Sequence, residues 1–217
     1  MYANRLEAGR RLGESLRELG IGGKPVAPLV LGVPRGGVVV AAEVAKILGV
    51  PLGVAVGGKV GSPGNSELAI GAVAEGGTAL YDEKLVKRLG VSQRYLEEET
   101  GRVKEKIAKR VRELRGGTPL SVAGRETVLV DDGVATGLTL EVVARDVAGQ
   151  GALRVCLAVP VGPSETLERL RRVAELVVCP WVPVVFGAVG AFYADFRQVE
   201  DAEVAAILGR ERGDKIR

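Results

Sequence analysis

The stretch from Thr127 to Thr139 constrains this chain more than any other: Thr127-Val128-Leu129-Val130, then Asp131-Asp132, then Gly133-Val134-Ala135-Thr136-Gly137-Leu138-Thr139. A β-branched apolar run that ends in two adjacent carboxylates, crosses a loop bracketed by glycines and enters an amphipathic pattern predicts a strand, an anion-binding loop and a helix. A strand that is apolar at successive positions is buried on both faces, so it needs neighbouring strands and covering helices.

The surrounding chain supplies them. Arg5 to Leu19 carries Leu6, Leu12, Leu16 and Leu19 among charges, a helical stripe that closes at Gly20 and the Gly22-Gly23 pair. Ala27 to Val33 is a short buried strand that runs into Pro34-Arg35-Gly36-Gly37 and a helical pattern through Val44 and Leu48. Val50 to Val56 reads as the next strand, with Gly57-Gly58-Lys59 at its exit. Gly61 to Ala79, rich in small residues, holds a turn at Ser62-Pro63-Gly64-Asn65. Alternation around Ala69 to Val73 and Thr78 to Tyr81 then predicts a hairpin-like excursion.

Asp82 to Leu89 forms a short helix and Ser92 to Arg115 a long one, with Leu96, Val103, Ile107, Val111 and Leu114 on a narrow seam. Glu98 with Arg102, and Glu105 with Lys109, are spaced for ion pairs along it. It reads as a solvated helix lying on the domain, with a lid or dimer role as the alternative. Beyond the opening motif come a helix from Leu138 to Ala148, a strand from Leu153 to Val159, a helix after Pro163-Ser164 and a strand from Leu176 to Cys179. Pro180 to Ala194, broken by Pro183, Gly187 and Gly190, predicts an irregular cap.

Strands alternating with helices imply an α/β fold, a mainly parallel central sheet flanked by helices, with a small hood. With 217 residues, 47% of them apolar, the chain suits a single domain over 1–217: an N-terminal helix (1–26), a core (27–179) and a hood (180–217). The net charge of +3 is spread among interleaved acids and bases, so no nucleic-acid partner is expected. No apolar run approaches the ~18 residues of a membrane span, and no signal-peptide layout is visible, so the expectation is a cytoplasmic protein with no membrane partner. Cys156 and Cys179 lie in apolar runs and read as core thiols. The chain has no histidine, which excludes Ser-His-Asp hydrolysis, Cys-His proteolysis and His-ligated zinc.

In such a sheet, chemistry gathers where strands end and helices begin. A helix starting near Gly137 leaves its first amides unpaired and its positive dipole end toward the loop, which favours a phosphate. Asp131 and Asp132, if ~4 Å apart, repel by about 4 kcal/mol at an effective dielectric of 20. A vicinal diol, donating two hydroxyls, or a magnesium ion would relieve that cost. A ribose 5-phosphate satisfies the whole arrangement; the plainer alternative is a turn at Asp132-Gly133. Walker and GxGxxG patterns are absent.

Val130 to Thr139 resembles the phosphoribosyl pyrophosphate signature of type I phosphoribosyltransferases. The resemblance implies that Asp131 and Asp132 hold the ribose hydroxyls and that Gly133, Val134, Ala135, Thr136, Gly137 and Thr139 hold the 5-phosphate. Val33-Pro34-Arg35-Gly36-Gly37 resembles the family's pyrophosphate loop, with a cis peptide expected at Arg35-Gly36 if one is present. Lys59 resembles its pyrophosphate lysine, an ordinary exposed lysine being the alternative. Gly61 to Ala79 occupies the place of its flexible catalytic loop. Arg35 and Lys59 are thus the implied catalytic groups, stabilising the leaving pyrophosphate.

In the hood, Trp181 and Phe186 are implied base-stacking residues or else hood core, and Asp195 an implied magnesium ligand beside Asp131 and Asp132. The implied activity is transfer of the phosphoribosyl group from phosphoribosyl pyrophosphate to a nitrogenous base. Ala135 stands where hypoxanthine-type members carry an aspartate, so the acceptor is not legible. A non-catalytic regulator that binds phosphoribosyl pyrophosphate or a nucleotide is the alternative, as is another phosphosugar-binding α/β enzyme. A homodimer is left open.

Overall fold

The computed structural model describes residues 1–22 and 27–213. Gly23, expected to help close the first helix, and the rest of 23–26 lie outside the described residues. In chain order the elements are α1 (Arg5–Glu18), β1 (Leu29–Gly32), α2 (Gly36–Leu48), β2 (Leu52–Val54), β3 (Gly57–Ser62), β4 (Asn65–Ala74), β5 (Ala79–Tyr81), α3 (Glu83–Arg88), α4 (Gln93–Arg115), β6 (Glu126–Val130), α5 (Leu138–Gly149), β7 (Arg154–Ala158), α6 (Ser164–Leu170), β8 (Leu176–Val178), a 3-10 turn (Val189–Phe192) and α7 (Asp201–Gly213).

Five strands form a parallel sheet in the order β2-β1-β6-β7-β8. Because side chains alternate along a strand, each central strand feeds both faces. Leu29, Leu31, Leu129 and Leu157 pack with Leu140, Val143 and Val147 of α5 and Leu167 and Leu170 of α6. Val30, Val128, Val130, Cys156 and Ala158 pack on the other face with Leu12 and Leu16 of α1 and Val40, Ala41 and Val44 of α2. The parallel sheet covered on both faces is thus the expected one. Cys156, buried, and Cys179, partly buried, are free thiols, and burial pushes the Cys156 thiol up to about 12.

Several expectations need correction. Gly57-Gly58-Lys59 is not a loop but the start of β3, which joins β4 and β5 in a separate antiparallel sheet. The glycines are what let this strand lie close to its helices: a Cβ on Gly58 would stand 2.6 Å from Val103 of α4, and one on Gly57 2.8 Å from Val143 of α5. The hairpin-like excursion expected within 61–81 is present: β4 pairs with β5 and, through the Ser62-Pro63-Gly64-Asn65 turn, with β3, whose register shifts around Gly61. On α4 the surface pairs are Arg94–Glu98 (2.8 Å), Glu99–Arg102 (3.1 Å) and Lys109–Glu113 (3.8 Å), not Glu98–Arg102 and Glu105–Lys109. Exposed partners one turn away on either side are nearly equivalent, so sequence spacing does not choose among them. The hood is irregular from Pro180 onward as expected, but it ends in α7, which buries Val204 and Leu208 against α4 and the strands.

Candidate active site

Three strand ends converge on the acidic pair. β6 stops at Val130, whose carbonyl accepts the Val33 amide (2.9 Å), and the Asp131 amide reaches Ala158 at the end of β7 (3.3 Å). The Pro34-Arg35-Gly36-Gly37 loop and the acidic pair are therefore in contact. A Cβ on Gly36 would collide with Asp132 Oδ2, and one on Gly37 would sit 2.8 Å from Asp131 Cα. No side chain larger than hydrogen fits at either position while the carboxylates stay where they are.

Each carboxylate is fixed through one oxygen. Asp131 Oδ1 accepts the Asp132 amide (2.8 Å), and Asp132 Oδ2 accepts Nε of Arg5 (2.6 Å). Arg5 is itself clamped: it donates to the Arg197 carbonyl (2.8 Å) and lies 3.8 Å over the Phe196 ring. The other oxygen of each carboxylate stays outside these bonds. Burial, and then the charge of Asp132, push the Asp131 carboxyl well above its usual range, opposed by its bond to the Asp132 amide and by Lys59 and Arg5. Burial also raises Asp132, with Arg5 opposing most strongly. Holding two carboxylates side by side and buried is costly, and a hydrogen-bond donor or a cation between them would relieve that cost.

The loop that follows is held from below. Thr166 Oγ1 donates to the Ala135 carbonyl (2.6 Å), and Arg169 donates to the Thr136 carbonyl and to Glu141 (3.0 Å). Gly137 caps α5 in a left-handed conformation (φ 71°), which glycine adopts without strain. The first amides of α5 have no intrahelical partner, Ala135 and Thr136 are exposed, and the buried Thr139 hydroxyl has no hydrogen-bond partner among the described residues. An orphaned buried hydroxyl costs about 1–3 kcal/mol, which a bound anion can recover.

Arg35 occupies the N-cap position of α2, with its side chain 3.9 Å from Asp201. The non-proline cis peptide lies at Pro34-Arg35, one bond before the position expected from sequence. Lys59 is exposed on β3 opposite Ala72, near enough to Asp131 to favour its ionised form. In the hood, Trp181 meets Phe192 edge-on (5.0 Å) and Phe186 stacks on the same ring (5.3 Å). Both rings thus pack with Tyr2, Phe192 and Tyr193 in one aromatic cluster. Asp195 is exposed and accepts the Arg197 amide (3.1 Å), and among the described residues no group of three potential ligands is arranged for a metal ion.

Some residues at the site carry no local signal in the sequence. Arg5 reaches Asp132 across 127 positions, and Tyr193 donates to the Asp132 carbonyl. Arg169, Glu141 and Asp201 read as ordinary helix charges. A cavity of about 790 Å³ lies elsewhere, between α4, the β4–β5 turn and the end of α5. Its buried charges have partners within the fold: Arg115 pairs with Glu75, though its buried Nε has no hydrogen-bond partner among the described residues, and Asp146 accepts from Gly76, Thr78 and Gln150.

The model of the phosphoribosyl transferase domain matches residues 2–189. Proteins from two strains of Mycobacterium tuberculosis, provisionally named phosphoribosyl transferases, are 39% identical over 215 residues. The match covers 99% of this chain and 48% of theirs, so the chain spans about half the length of these relatives. The crystal structure of TT1426 from Thermus thermophilus is 46% identical, covers 95% of this chain and 97% of that one, and superposes with a TM-score of 0.77. On the extent of the first of these matches, this chain belongs to the phosphoribosyl transferase domain family.

Proposed function

We propose that the chain transfers the phosphoribosyl group of phosphoribosyl pyrophosphate to a nitrogenous base and releases pyrophosphate. The observation that carries this is the packing of Gly36 and Gly37 onto Asp131 and Asp132, directly ahead of the α5 loop. One oxygen of each carboxylate accepts a ribose hydroxyl. The amides of Gly133 to Gly137 and the Thr136 and Thr139 hydroxyls take the 5-phosphate. Arg35, Lys59 and the amides of Gly36 and Gly37 stabilise the charge that grows on pyrophosphate as its bond to the anomeric carbon breaks and the base nitrogen attacks from the opposite face. The catalysis is electrostatic, and no side chain here needs to move a proton.

A magnesium ion would neutralise part of the pyrophosphate charge. Magnesium takes one or two carboxylates plus substrate oxygens and water, and Asp131 and Asp132 fit that role. The exposed Asp195 would join them only if the hood segment moved. Trp181 and Phe186 form the apolar wall on which an acceptor base could stack.

A pyrophosphate-release assay against purines, pyrimidines and other aromatic bases tests the proposal. Magnesium-dependent donor binding with no release for any acceptor would favour the regulatory alternative, for which Ala135, a side chain without an ionisable group, is the supporting feature. As a check on the ribose assignment, Asp131→Asn with Asp132→Asn should weaken donor binding at least tenfold, about 1.4 kcal/mol, while leaving inorganic phosphate binding within about twofold. Equal loss of both would refute it.

A further inference from the structure

The start of α7 sets an acidic side chain against the Arg35 loop. Asp201 lies 3.9 Å from the Arg35 guanidinium through Oδ2 and 3.6 Å from that of Arg110, on α4, through Oδ1. Both contacts are longer than hydrogen bonds, and Asp201 Oδ1 is a buried atom with no hydrogen-bond partner among the described residues. The same stretch of chain is capable of a tight pair: Arg197 grips Glu203 through two bonds of 2.9 Å. Asp201 does not make one. A single carboxylate spread between two arginines at these distances holds them by charge alone, and an anion with more oxygens can displace it.

A cavity of about 300 Å³ opens beside this carboxylate, lined by Gly57, Gly58, Lys59, Lys106, Arg110 and Asp201. Lys109 and Glu113 on its rim offset each other at 3.8 Å. Of the remaining cations in the lining, Lys59 also lies near Asp131, whereas Lys106 and Arg110 share the cavity with Asp201 as their other acidic neighbour, and Arg35 meets its second oxygen. The cluster carries a surplus of positive charge arranged around one acidic group.

We propose that Asp201 is an internal stand-in for the leaving group. It holds Arg35 and Arg110 when no donor is bound, yields both to pyrophosphate when one is, and competes for them again as pyrophosphate departs. Arg110 is then a pyrophosphate-binding residue supplied by α4, and Asp201 sets the affinity of the site and eases product release. The proposal rests on the Arg35 loop being the pyrophosphate site.

Titration calorimetry with sodium pyrophosphate and, separately, with ribose 5-phosphate tests it on the wild type, Asp201→Asn and Arg110→Gln. Asp201→Asn should bind pyrophosphate about threefold to tenfold more tightly and Arg110→Gln more weakly by a similar factor, with ribose 5-phosphate moved by less than about twofold in both. A gain of affinity cannot arise from damage to the fold. Unchanged or weaker pyrophosphate binding by Asp201→Asn overturns the stand-in, and unchanged binding by Arg110→Gln overturns the role of that arginine. A wild-type chain that binds ribose 5-phosphate and not pyrophosphate would instead refute the reading of the Arg35 loop itself.

Discussion

Asp131 and Asp132 work against the fold that carries them. A carboxyl raised above its ordinary value binds more protons in the native than in the unfolded chain. Its destabilising effect is therefore absent below the unfolded value near 3.8 and grows as pH rises through the native value. At neutral pH both groups cost stability, relieved in part for Asp132 by Arg5. Asp131→Asn should accordingly raise the melting temperature at pH 7 by roughly 2–4 °C and narrow its gap from the wild type toward pH 4. Calorimetric scans across that range check it, and a lower melting temperature at pH 7 would contradict the sign. The pair itself was legible in the sequence because strand, carboxylates and glycine loop are contiguous. Its counter-ion was not, because Arg5 meets Asp132 only after α1 has packed on α2, a contact 127 positions long.

At the scale of elements, sequence periodicity recovers what local burial dictates and misses what a distant helix permits. The central strands and α1, α2, α4 and α5 follow from their apolar spacing. β3 does not, since Gly57-Gly58 looks like a loop until Val103 and Val143 are seen occupying the space that side chains would take. α7 escapes for a related reason: Val204 and Leu208 are too few to announce a helix without the α4 surface they cover. The C-terminal end of α4 is fastened by Arg115, which pairs with Glu75 and donates to the Val54 carbonyl (3.2 Å), while Glu75 accepts the Val56 amide (3.0 Å). Both side chains are about nine-tenths buried. Arg115→Met leaves the Glu75 charge stranded and should cost about 3–5 kcal/mol in urea denaturation, whereas Arg115→Met with Glu75→Gln should recover most of it. Equal losses in the two variants would mean that packing, not charge, is what the pair supplies.

Over the whole molecule, the two halves of the proposed reaction are not mechanically separate. A Cβ on Gly133 would collide with Val189 of the hood, and Tyr193 donates to the Asp132 carbonyl. Val189→Ala opens space under the donor loop and should weaken ribose 5-phosphate binding about threefold to tenfold, with little change in pyrophosphate affinity. Unaltered ribose 5-phosphate binding would show that the loop stands without the hood. The direct seating of the hood on that loop limits how such a chain can diversify. On the proposed reading, substitutions that reshape the acceptor wall also shift the floor beneath the sugar, so a new acceptor preference arrives together with a changed hold on the donor. Lineages that alter one are then expected to carry compensating changes in the other.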